Sequence, residues 1–350
     1  MTTLRQPKIH ALILLISILA GLGYGSLVHL DSMHDFSHIV TEYLLPLFFL
    51  AVGIELRAEF TSGHFVNRRN LWLPSLGAVF GVALPAAIFV FVTGETNGSW
   101  SIPTATDITL GVAALSVVAV RVSSRLRAKF LALATIDDVI GLLILLAVFS
   151  SKLDLVKISL VLTLAVLFFA AQRFLGSFAV ISAVVPLLAI VVSVGSGVQT
   201  SLIGFAFGFL VTRNQDFKWL EQTNGLVILP LFGFGISAVA GSELGGGITA
   251  TVLVAILLRP AGKIVGITFG AWVGSKLSGT KESLSDWFAI GTLGGLGLTV
   301  SLLLAQIAYE GNPQSLASAV IGTLLASAIS FLLFMVVIRL DRRSTRQVGK

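Results

Sequence analysis

Cysteine is absent from this 350-residue chain, which excludes disulfides, thiolate metal sites and a cysteine nucleophile. Charge is scarce too. Only 11% of residues are Asp, Glu, Lys or Arg, against 55% hydrophobic, and mean hydropathy is +0.97. That is too apolar for an ordinary soluble domain and too evenly apolar for a soluble domain with one anchor. The short alternating strands of a membrane barrel are missing, and continuous apolar runs of about twenty residues take their place. The five histidines fall outside what would be the bundle core and support no metal site. What remains is an all-α polytopic membrane protein, read as a single transmembrane domain over residues 1–350, with no cofactor implied.

The apolar runs number about twelve, centred near residues 19, 49, 82, 112, 140, 164, 187, 205, 230, 260, 297 and 328. The first, at residues 10–28, follows Arg5 and Lys8 as a signal peptide would, but no small-x-small cleavage site comes after it, so an uncleaved first helix is expected. With the N-terminus cytoplasmic, nineteen of the twenty-three basic residues fall on the cytoplasmic side and only Lys152 and Lys157 outside. One orientation alone satisfies the positive-inside rule, and it places both termini in the cytoplasm. The net charge of +6 is thereby explained without nucleic acid.

Two acids stand where acids are expensive. Asp137 and Asp138 are the sole charges in residues 130–151, and at ~1.5 Å per helical residue Asp138 lies roughly 13 Å beyond Lys129, near the middle of a hydrocarbon layer about 30 Å thick. Carboxylates at that depth line a water-filled cavity, pair with a cation, or bind an ion or proton as their task. The cations that could answer them are Arg259 and Lys263, one helical turn apart within the tenth run and so on one face. Lys263 is the natural counter-charge. Adjacent helical residues point about 100° apart, so the acids divide the work: Asp138 toward a cavity, Asp137 toward Lys263. A structural ion pair without transport is the alternative for this group.

Two runs look broken. In the fourth, Pro103 removes a backbone donor within Ile102-Pro103-Thr104-Ala105-Thr106-Asp107; the eleventh holds Gly291-Thr292-Leu293-Gly294-Gly295-Leu296-Gly297. Irregular backbone at membrane depth is tolerated where it lines a polar cavity, and paired interrupted helices in inverted repeats mark transporter binding sites. The expected repeats are residues 71–150 and 248–340, with 155–240 supplying linking or interface helices. The repeat rests on spacing alone.

These residues resemble a known family. The stretch 102–111 (IPTATDITLG), the ATIDD core within 130–143, 48–55 (FFLAVGIE), Gly197 to Gly204, 228–232 (ILPLF), Gly262-Lys263 with Gly266-Ile267, and 294–301 (GGLGLTVS) are similar, in order along nearly the whole chain, to the NhaA sodium/proton antiporters. Inverted repeats with interrupted helices are themselves a known feature of this family, so the repeat reading and the resemblance are not independent. The resemblance implies a fold of about twelve helices with two crossed, interrupted helices. It also implies an inner-membrane exchanger of cytoplasmic Na+ or Li+ for external H+, active in pH homeostasis.

By matched position the resemblance makes Asp138 the main cation ligand, Asp137 its neighbour, and Lys263 the lysine paired with that neighbour, as proton carrier or as counter-charge. Thr106 and Asp107 match residues at the helix crossing. Asp107 reads better as neutralising half-helix N-termini than as a direct ligand, and Thr106 is either a cation ligand or a backbone cap. Glu55 and Glu59 match acids of a cytoplasmic funnel, although they also suit a solvated helix face. Partners implied are Na+, Li+, H+, the lipid bilayer and a second copy of the chain. Departures are Gln199 where the family commonly has histidine, missing histidines near Glu221, a 30–37 loop too short for the β-hairpin of family dimers, and Arg259, which has no charged counterpart.

The chemistry of such a site is a competition. Sodium prefers hard oxygen ligands, and protons seek the same carboxylate oxygens. A pocket filled by one or the other, but not left empty and charged, couples the two fluxes, and a second proton from the Asp137–Lys263 pair would make exchange electrogenic. A proton-coupled transporter of an organic substrate is the rival on the same scaffold, but the runs offer few polar or aromatic anchors. An intramembrane aspartyl hydrolase would need two aspartates in its own motifs and gives no reason for Lys263.

Overall fold

The computed structural model describes residues 6–28, 32–62, 72–118, 122–150, 153–174, 179–211, 218–280 and 283–347. Of the basic residues used for orientation, Arg5, Arg68, Arg69, Arg121, Lys152, Arg213, Lys281 and Lys350 lie outside the described residues. All regular structure among the described residues is helical. In order, the helices are α1 (Gln6–Leu27), α2 (Ser32–Ile39), α3 (Leu45–Ser62), α4 (Trp72–Thr93), α5 (Ile108–Val117), α6 (Ser124–Phe149), α7 (Leu155–Phe174) and α8 (Ala179–Ser193). They continue with α9 (Thr200–Leu210), α10 (Lys218–Thr223), α11 (Leu229–Ser242), α12 (Ala250–Leu257), α13 (Arg259–Ser278), α14 (Leu284–Gly294), α15 (Thr299–Ala308) and α16 (Pro313–Gln347). A 3-10 turn, Ser99–Thr104, precedes α5, and single π-turns join α2 to α3 and α10 to α11.

Eight helical stretches among the described residues are long and apolar enough to cross a membrane, nine if α14 and α15, bent by 51°, make one span. All twelve expected centres fall on a helix except position 297, which falls in the link between α14 and α15. Large apolar side chains such as Leu12, Phe91, Val166 and Leu332 point outward, as a surface solvated by acyl chains requires. This is a multi-pass membrane protein. The short loop expected at 30–37 is cut shorter still, since α2 already begins at Ser32.

The chain divides into two compact units. One comprises residues 1–12, 67–141 and 240–350; the other comprises 13–66 and 142–239. In the second, α3 crosses α9 so closely that a Cβ on Gly53, Gly204 or Gly208 would strike the opposing backbone. Phe168 and Phe207 meet beside this crossing at 5.5 Å between ring centroids.

The first unit is built on the contact of α13 with α4. Gly262, Gly266, Gly270 and Gly274 recur every fourth residue of α13, and a Cβ on Gly266 or Gly270 would collide with the carbonyls of Phe80 or Leu76. Without a hydrophobic drive between helices in lipid, such small-residue stripes let dispersion hold two backbones together. Arg259 and Lys263 lie on the same helix and are fully buried. At one end of this unit Lys129, opening α6, pairs with Asp286 of α14 at 2.8 Å. At another, Glu95 accepts hydrogen bonds from Tyr309 and Ser99, each 2.8 Å long.

The glycine-rich run 291–297 is less broken than its composition suggests. Helix α14 continues through Gly294, because Gly291 and Gly294 sit where a side chain would strike Ile264 and Ile267 of α13. Only 295–298 leaves the helix, and Gly297 is needed there because a Cβ would collide with the Ala105 carbonyl oxygen.

Candidate functional site: two non-helical links and a buried ion pair

Residues 105–107, between the 3-10 turn Ser99–Thr104 and α5, and residues 295–298, between α14 and α15, are non-helical links, and they lie against each other in the first unit. The Asp107 N–H donates to the Leu296 carbonyl at 2.7 Å, and the Thr106 hydroxyl donates to the Gly294 carbonyl at 2.8 Å. Each link thus satisfies groups that the other leaves without helical partners, as buried backbone must.

Asp107 caps both half-helices. Its Oδ1 accepts from the Leu110 N–H of α5 at 3.1 Å, and its Oδ2 accepts from the Thr299 hydroxyl at 3.0 Å and the Thr299 N–H of α15 at 3.4 Å. A carboxylate facing two helix N-termini is held by both dipoles as well as by hydrogen bonds. Asp107→Asn keeps one carbonyl oxygen but loses the charge and turns an NH2 group toward donors. The expected cost is about 2 kcal/mol, read as a lower melting temperature of the detergent-solubilised protein; an unchanged melting temperature would show that the charge is not what holds the crossing.

Beside the crossing, α6 brings its two acids to different surroundings. Asp137 is buried, and its oxygens accept from Lys263 Nζ at 3.0 and 3.1 Å, a pair with both side chains at 0% exposure. Asp138, one residue on, is only half-buried and acts on Lys263 electrostatically from further away. The helical turn between neighbours is what divides them. An Asp next to an Asp therefore yields one carboxylate sealed against the lysine and one that is half-buried.

Glu55 and Glu59 stand on α3, in the other unit, with Glu55 exposed and Glu59 half-buried. Glu221 of α10 joins them there as an electrostatic neighbour of Glu55. Glu221 carried no signal in the sequence, since 166 positions separate it from Glu55. Arg57 tethers the same helix by donating to the Phe209 carbonyl at 2.7 Å. Gln199, the departure noted above, immediately precedes α9 and caps nothing with its side chain.

Comparison with known proteins settles the lineage. The family model described as Na+/H+ antiporter 1 matches residues 10–338. The chain belongs to the Na+/H+ antiporter 1 family. It is 32% identical to the Na(+)/H(+) antiporter NhaA 2 of Clavibacter michiganensis subsp. michiganensis, over 89% of this chain and 81% of that protein. To the Na(+)/H(+) antiporter NhaA of Proteus mirabilis it is 31% identical, over 84% of this chain and 81% of the relative. The relative from Tropheryma whipplei strain Twist, of the same name, is 28% identical over 95% of this chain and 94% of its own length. Membership of the antiporter family makes this chain a transporter and not an enzyme.

In a member of the Na+/H+ antiporter 1 family, the buried Asp137–Lys263 pair and the paired links mark a candidate site: Lys263 and Thr106 both lie against the Cβ position of Gly294. Thr106 spends its hydroxyl proton on Gly294, so it acts as the backbone cap described above while its oxygen keeps acceptor capacity.

Proposed function

We propose that this protein exchanges cytoplasmic Na+ or Li+ for external H+ in a bacterial inner membrane, electrogenically, with Asp138 as the point of competition. The observation that carries the reading is the unequal treatment of the two adjacent acids: Asp137 is buried against Lys263, and Asp138 is left accessible. In this reading the chain crosses the membrane twelve times with its ends on the cytoplasmic side. Residues 71–150 and 248–340 are inverted repeats whose interrupted helices cross at the site, and 155–240 link them.

The cycle follows from charge. With the site open to the cytoplasm, Na+ displaces the proton of Asp138 and is held by carboxylate, hydroxyl and carbonyl oxygens. An empty ionised site is costly at this depth, so only the sodium-loaded or protonated forms change access. Outside, protons displace the ion and the protonated site returns. If Lys263 also releases its proton when Na+ arrives and regains it outside, two protons move for each sodium and net charge crosses. Asp107 and Thr106 hold the crossing that the cation approaches, and Glu55 and Glu59 draw cations toward the cytoplasmic opening.

The test is transport by everted membrane vesicles holding a preformed pH gradient. Addition of Na+ or Li+, but not K+, is expected to dissipate the gradient, and faster when the membrane potential is clamped, because unclamped electrogenic exchange builds a potential that opposes it. No response to either ion across pH 6 to 9 would sink the reading and leave proton-coupled transport of an organic substrate as its replacement.

A further inference from the structure

Arg259 is the cation that the ion pair above leaves unused. It opens α13 one turn before Lys263, its side chain is fully buried, and no carboxylate among the described residues lies within ion-pair distance of it. The carboxylate that acts on it, Asp107, does so from beyond ion-pair distance, and a guanidinium buried in this way is costly unless its N–H groups are satisfied. Here they are answered by a single fork. One terminal nitrogen donates to the Gly297 carbonyl at 2.9 Å and to Ser301 Oγ at 3.2 Å. The other donates to Ser327 Oγ at 2.7 Å and to the Thr323 carbonyl at 3.3 Å. Four of its five N–H groups are thereby engaged, and Nε is left without a partner.

The positions of those acceptors matter more than their number. Gly297 is in the link 295–298, Ser301 opens α15, and Thr323 and Ser327 are one turn apart on α16. Ser301 in turn donates to the Ile102 carbonyl of the first interrupted helix at 2.8 Å. The link gripped at Gly297 carries, one residue before, the Leu296 carbonyl that takes the Asp107 N–H, and two residues after, the Thr299 groups that take its carboxylate. A shift of Gly297 therefore moves both faces of the crossing. A positive charge also suits the C-terminal end of the half-helix α14, where carbonyls gather. Because Arg259 supplies it, Lys263 one turn away is free to bond Asp137.

We propose that Arg259 is a positioning residue of the antiport site. Its fork clamps the α14–α15 link to α13 and α16, sets the geometry around Asp107 and Thr106, and relieves Lys263 of neutralising the half-helix end. This rests on the antiport reading for its transport consequence only; the clamp itself concerns the link.

The experiment pairs two readouts on Arg259→Lys, Arg259→Met and Ser327→Ala in the full-length protein. Lysine keeps the charge but cannot hold the Gly297 and Thr323 sides together. In everted vesicles, normalised for antiporter content, Arg259→Lys should raise the apparent KM for Na+ about tenfold with a maximal rate within about twofold of wild type, and Ser327→Ala should raise KM about threefold, one to two hydrogen bonds' worth. Because Ser327 also donates to the Gly297 carbonyl at 3.1 Å and accepts from the Gly297 N–H at 3.4 Å, the double Arg259→Lys/Ser327→Ala variant should raise KM further than Arg259→Lys alone. A merely structural arginine would instead change protein content while KM stayed put. Hydrogen exchange of the detergent-solubilised protein supplies the second readout: peptides covering 102–110 and 294–301 should exchange at least about tenfold faster in Arg259→Lys, a loss of roughly 1.4 kcal/mol of local protection. Wild-type exchange in those peptides, or a wild-type KM in both Arg259→Lys and Ser327→Ala, overturns the clamp. If Arg259→Met fails to accumulate, the other two variants decide. A wild-type protein with no sodium response sinks the antiport reading, while the exchange rates still judge Arg259.

Discussion

Asp138→Asn is expected to abolish sodium- and lithium-driven collapse of a pH gradient while leaving the protein in the membrane at its normal level. Asparagine has the size of aspartate and retains a carbonyl oxygen, so the substitution removes charge and little else. A unit charge at 4 Å is worth about 4 kcal/mol at an effective dielectric of 20, which is about a thousandfold in cation occupancy. Asp138 is only half-buried, and its neutralisation leaves Lys263 bonded to Asp137. Stability should therefore hold while transport disappears. Vesicles that contain the Asn variant and still respond to sodium would remove Asp138 from the centre of the mechanism.

Lys263→Met is expected to do the reverse and injure stability first. The lysine Nζ is the cation bonded to a carboxylate that is sealed from solvent, and removing it leaves that carboxylate charged, buried and unanswered. Breaking such a pair costs roughly 3–5 kcal/mol, whereas exchanging both partners for apolar groups of similar volume is often neutral. The double variant Asp137→Leu/Lys263→Met should therefore recover most of the melting temperature that Lys263→Met loses. Transport by the double variant supplies the second half of the prediction. With Asp138 intact it should still exchange sodium for a proton, but one for one, so that clamping the membrane potential no longer alters the rate. If the double variant melts no higher than the single one, the pair is not what Lys263 supplies to the fold. Potential dependence that survives in the double variant would take Lys263 off the proton path and leave it as a counter-charge.

These two expectations share a cause in local geometry. Two acids in succession on a helix cannot face one neighbour, so one of them takes the buried cation and the other does not. The same turn of α13 separates Lys263 from Arg259, yet those two cations share a face and differ in what meets them: a carboxylate from α6 for one, link carbonyls and hydroxyls for the other.

Much of this was legible from residues alone because lipid is an unforgiving solvent. An acid or a cation in the middle of an apolar run is too expensive to be incidental, so Asp107, Asp137, Asp138, Arg259 and Lys263 announced themselves without any contact being known. Pro103 and the glycines near 295 likewise announced backbone that leaves the helix. Partners were less legible. Nothing local says that Arg259 reaches Ser301 and Ser327, because serines 42 and 68 positions away are ordinary helix residues until packing brings them together. Nor does composition tell whether a glycine lies inside a helix or in a link: Gly291 and Gly294 are within α14 and let α13 approach, whereas Gly297 is in the link and lets the Ala105 carbonyl approach.

The chain by itself determined that this is a helical membrane protein with a charged centre, since hydropathy and the depth of each ionisable residue depend on order along the sequence and on nothing else. Only the tertiary structure decided the contacts themselves: which two helix starts Asp107 meets, the 3.0 Å at which Asp137 meets Lys263, and that Arg259, which the sequence offered only as a cation that could answer the acids, grips the 295–298 link instead. The physical reason is range. Burial in lipid is set by neighbours a few residues away, whereas a hydrogen bond is set by whichever group the fold brings within about 3 Å, from any distance along the chain.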